Sequence, residues 1–225
     1  MAARNSSRTY LRRFLERAAA EVAPGALVLD AGAGRAQYRG LFAHARYETA
    51  DFLAVKGKKY AQPDYVCDLA AIPVQDARFD HVVCTQVLEH LPEPQRAIDE
   101  MFRVLTPGGQ LLLTTRFLFP IHDAPHDYFR FTKYGLRHLL RRFEIITLEE
   151  ETDAVGTIAV LLQRLGMQAE TLHRTSFRAV WLLAAQAARP FSFLITQEYG
   201  DSRRLTREHG IMTSGYHVAC RKPSA

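Results

Sequence analysis

Leu27-Val28-Leu29-Asp30-Ala31-Gly32-Ala33-Gly34 is the stretch on which the fold turns. The apolar run from Ala26 to Leu29 lacks the alternation of a half-exposed strand, so it reads as a short strand buried on both faces. An aspartate and two closely spaced glycines follow at once. Glycine lets the backbone take left-handed conformations and lets a ligand come close, and a helix N-terminus beyond such a turn aims amide N–H groups at that ligand. The expectation is a buried strand, a ligand-binding turn and a short helix ending near Phe42.

Working outward, Leu11, Phe14, Leu15, Ala18 and Val22 recur at helical spacing ahead of Pro24-Gly25, which predicts an opening amphipathic helix. Beyond the turn, strands are expected at Arg46–Phe52, Tyr65–Cys67, Phe79–Cys84 and Gln110–Thr115. Ile98, Met101, Phe102 and Leu105 mark a helix closed by Pro107-Gly108-Gly109. This alternation predicts parallel βαβ units in an α/β, doubly wound, Rossmann-like sheet. A loop-like stretch from Phe117 to Arg130 comes next, then Thr132 as N-cap of a helix with the face Leu136, Leu139, Leu140 and Phe143. A strand at Glu144–Leu148, helical stretches at Ile158–Leu165 and Phe177–Ile195, the latter broken or kinked at Pro190, and a last strand at Ser214–Cys220 complete the pattern. Without a repeat or a linker, residues 1–225 read as a single domain: an N-terminal helix (1–23), a core (24–150), a helical insertion (151–210), and a final strand and tail (211–225).

The 225 residues are 48% hydrophobic, enough for one full core. The net charge of +5 is spread over short clusters (Lys56, Lys58, Lys59; Arg137, Arg141, Arg142; Arg203, Arg204, Arg207), which reads as solvated surface, so nucleic acid is not favoured as a partner. Cys67, Cys84 and Cys220 show no metal or redox spacing and are expected as buried, reduced thiols. Arg4, Arg8, Arg12 and Arg13 are followed by no apolar signal region, and a cytoplasmic location is expected.

The glycine spacing separates two cofactor classes. A dinucleotide turn needs G-x-G-x-x-G, and Gly32-Ala33-Gly34-Arg35-Ala36-Gln37 has Gln37 at the third position. Asp30 would repel a pyrophosphate but suits a ligand with a cationic amino-acid end, such as S-adenosylmethionine. Further motifs fall in order: Asp51 ending the second strand, Asp68-Leu69 after the third, Phe79-Asp80-His81-Val82-Val83-Cys84 with Thr85-Gln86-Val87-Leu88-Glu89-His90-Leu91, and Leu105-Thr106-Pro107-Gly108-Gly109. This ordered set resembles the class I S-adenosylmethionine-dependent methyltransferases of small-molecule type, with Ala36 where the family has its third glycine. The resemblance implies S-adenosyl-L-methionine as cofactor. Asp30, Ala31, Gly32 and Gly34 would hold it in the first turn, and Asp51 and Phe52 at the ribose. Asp68 and Leu69 would hold the adenine, with Thr85, Gln86 and His90 following the fourth strand. It also implies a seven-stranded sheet whose last strand runs antiparallel between the fifth and sixth.

On the acceptor side stands His122-Asp123-Ala124-Pro125-His126-Asp127-Tyr128-Phe129-Arg130-Phe131-Thr132. Substrates meet cofactors beyond the C-terminal edge of such sheets. His126, then His122, are candidate bases, with Asp127 beside them. In the structural alternative Asp127 pairs with Arg130 and the stretch only positions a lid. Glu89 and His90 read first as packing residues. Two histidines in a loop define no coordination geometry, so no metal ligand is assigned.

The function expected is methyl transfer to an oxygen or nitrogen of a small-molecule acceptor, such as a sugar- or lipid-linked intermediate. An RNA methyltransferase and an inactive cofactor-binding partner subunit are the alternatives; the oligomeric state is left open. The apolar insertion around Trp181, with Arg174, Arg178 and Arg189 flanking it, suits a buried packing element, a substrate lid or a peripheral membrane contact.

Overall fold

The computed structural model describes residues 7–52, 60–171, 175–195, 198–201, 203 and 206–224, so Lys56, Lys58, Lys59, Arg174 and Arg204 lie outside the described residues. In chain order the elements are α1 (Ser7–Ala20), β1 (Leu27–Ala31), β2 (Arg46–Asp51), β3 (Tyr65–Val66), β4 (Phe79–Thr85), α2 (Pro94–Val104), β5 (Leu105–Arg116), α3 (Lys133–Leu139), β6 (Glu144–Glu150), α4 (Ala154–Thr171), α5 (Thr175–Ala188), β7 (Glu198–Asp201), β8 (Thr206–Glu208) and β9 (Gly215–Arg221). Seven strands form one sheet in the order β3-β2-β1-β4-β5-β9-β6, and β7 and β8 form a separate hairpin. The strands β1 to β5 pair in parallel, whereas β9 runs antiparallel to both β5 and β6. This is the topology expected from the sequence.

Successive strand residues face opposite sides of a sheet, and that parity builds two core layers. Leu29, Val82, Leu111 and Leu113 share one layer with Ile98 and Met101 of α2 and Leu136 of α3. Val28, Val83 and Leu112 share the other with Leu11, Phe14 and Leu15 of α1, and with Tyr38 and Phe42. All five residues of β1 are buried, which is why it carries no alternation. The Asp80 carboxylate accepts a hydrogen bond from the Leu27 N–H at 2.8 Å and pins the start of β1 to β4.

Several local expectations are corrected. No α-helix follows the glycine turn: residues 32–38 form turns, and only a short 3₁₀ helix, Arg39–Phe42, precedes β2. Ala36 interrupts any helix there by its left-handed φ of 50°. The break expected at Pro190 is present: helix α5 stops at Ala188 and a 3₁₀ segment continues to Leu194. Cys84 and Cys220 are buried as expected, but Cys67 is only half-buried. Helices α4 and α5 pack on one another, with Ala185 buried and Trp181 half-buried between solvent and partner, while Val180 and Leu183 are exposed. The insertion is therefore not buried on both faces. No described helix is long and apolar enough to cross a membrane.

The edge of β9 depends on a close approach. A Cβ placed on Gly215 would stand 2.3 Å from the carbonyl oxygen of Thr115, which is backbone of β5 and cannot swing aside. Gly215→Ala should therefore destabilise the fold by more than about 2 kcal/mol, whereas Gly40→Ala, with open space around it, should stay within about 0.5 kcal/mol. Denaturant unfolding checks this; equal stabilities would show that β9 can shift along β5 freely.

Candidate active site

Parity carries Asp30 to the α1 side of the sheet, where it is 2% exposed. The Tyr47 hydroxyl, projecting from β2, donates to Asp30 Oδ2 at 2.6 Å. The other oxygen, Oδ1, is buried and has no hydrogen-bond partner among the described residues. Burial raises the Asp30 pKa to about 6; the Tyr47 hydrogen bond opposes this and the nearby Asp51 charge adds to it. Tyr47 in turn is pushed well up, first by its own burial and then by the Asp30 charge. An ionised carboxylate held this way lacks compensation, and a cation would supply it.

The turn beyond Asp30 is tied to β2. The N–H groups of Gly32 and Ala33 donate to the Ala50 carbonyl at 2.8 and 3.2 Å, and the Gly34 N–H donates to Asp51 Oδ2 at 2.8 Å. A Cβ on Gly32 would lie 2.4 Å from a methyl carbon of Val87, so only glycine leaves the turn and the segment after β4 this close. Gln86, with a φ of 55°, donates its N–H to the Thr114 carbonyl and holds that segment against β5. The structure thus gathers Asp30, Ala31, Gly32, Gly34, Asp51, Thr85 and Gln86 along the C-terminal edge of β1, β2 and β4. Phe52 is 63% exposed just beyond β2. Asp68 caps its own turn by accepting from the Ala70 N–H at 2.9 Å, and the Leu69 side chain packs into the core.

The loop after β5 is organised by one arginine. Both Asp127 oxygens accept from Arg130 at 2.7 Å, and Arg130 also donates to the carbonyls of Phe119, Pro120 and Phe129. This fork lowers the Asp127 pKa to about 2, which disfavours Asp127 as a proton acceptor near neutrality. Thr132 caps α3 by accepting from the Gly135 N–H at 3.1 Å, as expected. His122 also donates its backbone N–H to Asp127, at 2.8 Å. Burial, followed by the neighbouring His90, lowers the His122 pKa to about 4. His126 is half-buried, with its ring 3.5 Å from the Tyr128 hydroxyl.

Tyr47 and Arg116 escaped the sequence reading, and Glu89 was read there first as a packing residue. Glu89 is fully buried and accepts from the Thr115 hydroxyl at 3.0 Å. Arg116, at the end of β5, is buried against Glu151 at 2.9 Å, donates to Ser7 of α1, and lies 4.1 Å from the centre of the Phe119 ring. Polar residues on nominally apolar strands were the signal; their partners lie on other elements. A separate cleft of about 510 Å³ opens at the opposite edge of the sheet, lined by Asp76, Glu100 and Arg103, which pair with one another.

The pKa of Asp30 has a consequence for stability. The unfolded chain ionises Asp30 near pH 3.8 and the folded chain near 6, so between these values the native state binds more protons, and stability falls as pH rises through the window. The full effect, present above pH 6, is on the order of 3 kcal/mol. Asp30→Asn should therefore raise the melting temperature at pH 8 and raise it only about half as much at pH 5, midway through the window. An equal shift at both pH values would show that ionisation of Asp30 does not burden the native state.

Residues 29–113 match the family model described as a methyltransferase domain. Human probable tRNA methyltransferase 9B is 33% identical over 109 residues, covering 46% of this chain and 23% of that protein. The ubiquinone biosynthesis O-methyltransferase of Coxiella burnetii is 42% identical over 53 residues, covering 23% of each chain. The chain thus spans less than a quarter of the length of either relative. The solved structure of the Burkholderia thailandensis 1,6-didemethyltoxoflavin-N1-methyltransferase, with S-adenosylhomocysteine bound, superposes with a TM-score of 0.55 at 16% identity, covering 95% of this chain and 78% of that one. Residues 29–113 thus match a methyltransferase domain, and the fold around them is shared with a solved methyltransferase that holds S-adenosylhomocysteine.

Proposed function

We propose that the protein is an enzyme that moves a methyl group from S-adenosylmethionine to an oxygen or nitrogen of a small-molecule acceptor, of the sugar- or lipid-linked kind. The observation that carries this reading is the buried Asp30 carboxylate with an unpartnered oxygen beside the glycine turn. An ammonium group would satisfy it, whereas a phosphate would add a like charge. Gly32 and Gly34 would admit the cofactor close to the backbone, Asp51 would accept from the ribose hydroxyls, and Asp68 and Leu69 would meet the adenine. When bound, the cofactor supplies a sulfonium-activated methyl group. The chain's main task is then to align the acceptor, and good orientation is worth roughly 7–11 kcal/mol in well-held systems.

Where the acceptor must lose a proton, His126 is the base we assign. Asp127 is committed to Arg130, and His122 is too weak a base at its lowered pKa of about 4. The match to an O-methyltransferase of ubiquinone biosynthesis supports a small acceptor. The match to a probable tRNA methyltransferase favours RNA as the second reading.

Asp51→Ala should weaken S-adenosylhomocysteine binding by roughly tenfold to a hundredfold, the loss of charge-assisted hydrogen bonds worth about 1.5–3 kcal/mol. Unchanged affinity in a folded variant would remove Asp51 from the site. His126→Ala should keep that affinity and lower turnover by roughly 10²–10⁴. The turnover assay is transfer of labelled methyl from S-adenosylmethionine into fractionated cell extract. Label in the small-molecule or lipid fraction supports the proposal, and label confined to RNA favours the second reading.

A further inference from the structure

Glu89, His90 and His122 meet although they come from different elements, a short 3₁₀ turn after β4 and the loop after β5. One carboxylate oxygen and one ring nitrogen of each histidine all lie within 4.8 Å of one another. Three features make this more than a polar contact. Glu89 is fully buried, yet its Oε1 has no hydrogen-bond partner among the described residues. His90 Nδ1 stands 2.5 Å from the His126 carbonyl, and His122 Nδ1 stands 3.3 Å from the Pro120 carbonyl. A carbonyl only accepts, so both rings carry their proton on Nδ1 and keep the Nε2 lone pair. Asp127 lies on that same Nδ1 side, 3.9 Å from His90 and 3.5 Å from His122. Histidines that bind metal characteristically donate their second ring N–H to a carbonyl or carboxylate in this way.

We propose that Glu89, His90 and His122 form a binding site for one divalent first-row transition-metal ion. Two imidazoles and one carboxylate suit zinc or manganese, whereas calcium and magnesium favour all-oxygen sets. The ion answers two otherwise unexplained costs, the unpaired Glu89 oxygen and the burial of two rings only 16% and 25% exposed. Three protein ligands would leave coordination positions open. An acceptor hydroxyl bound there would lose its proton more readily, a consequence that rests on the methyl-transfer reading.

The site is tested without acceptor or cofactor. Chelator-stripped protein is titrated with Co²⁺, followed by its visible ligand-field absorption, and with Zn²⁺ by calorimetry. The expected result is one ion per chain, with affinity lowered at least tenfold to a hundredfold in Glu89→Gln and in His122→Asn, and unchanged in the exposed control His138→Ala. Should Glu89→Gln fail to fold, His122→Asn, altering a loop side chain, decides the matter. Absence of saturable binding by the wild-type protein, or binding equally strong in His122→Asn, overturns the proposal. S-adenosylhomocysteine affinity is measured on the same samples. Its absence in the wild type would count against the methyltransferase reading and leave the metal result standing.

Discussion

Asp30 sits at the end of a strand that is buried from end to end, and its carboxylate meets a single phenol. That arrangement sets the terms for the structure around it. The sheet places β1 centrally, so the carboxylate cannot reach water, and the parity of the strand sends it toward α1 rather than α2. Tyr47, paired with Val28 in the register of β2, reaches along the sheet to satisfy one oxygen, and the turn must bend away at once for any ligand to reach the other. Gly32, in contact range of Val87, and Gly34, held by Asp51, make that bend. A cationic ligand is the natural complement to what remains.

The C-terminal edge of the sheet divides into two halves built on different principles. On the β1–β2 side, backbone hydrogen bonds and close glycine packing fix the path of the turn. On the β5 side, buried charges hold the chain in place: Arg130 gathers the loop through Asp127 and three carbonyls, and Arg116 joins β5 to Glu151 and to α1. The backbone carbonyl of Glu89 accepts from the N–H groups of Tyr128 and Phe129, so the two halves meet at that residue. The histidines converge there because the loop has no freedom to carry them elsewhere.

Much of the fold was legible because the inner strands carry unbroken apolar runs and the turns carry glycine and proline. The antiparallel final strand came from the family resemblance, since no local pattern in Gly215–Arg221 distinguishes strand direction. The missing helix after Gly34 was not legible: Ala36 has high helix propensity, and its left-handed conformation is imposed by the tight return to β2. The β7–β8 hairpin was too short to show a period. In the site, Asp30 and Asp51 could be read from position in the motif. The Asp127–Arg130 pair was visible as one of two readings of the same residues, and geometry separates them. The approach of His122 to Glu89 and His90 could not be read at all, because it depends on how a loop folds back over another strand's end.

The account rests on Asp30 meeting a cation when the cofactor binds, and proton-linked binding tests this most directly. Calorimetric titration of S-adenosylhomocysteine in buffers of different ionisation enthalpy, from pH 5 to pH 7, reports protons released together with affinity. Free Asp30 titrates near pH 6 and loses its proton when paired. Close to one proton should therefore be released at pH 5 and little at pH 7, with affinity rising up to about tenfold per pH unit below 6 and then levelling. Affinity independent of pH over this range, with no proton released, would contradict it.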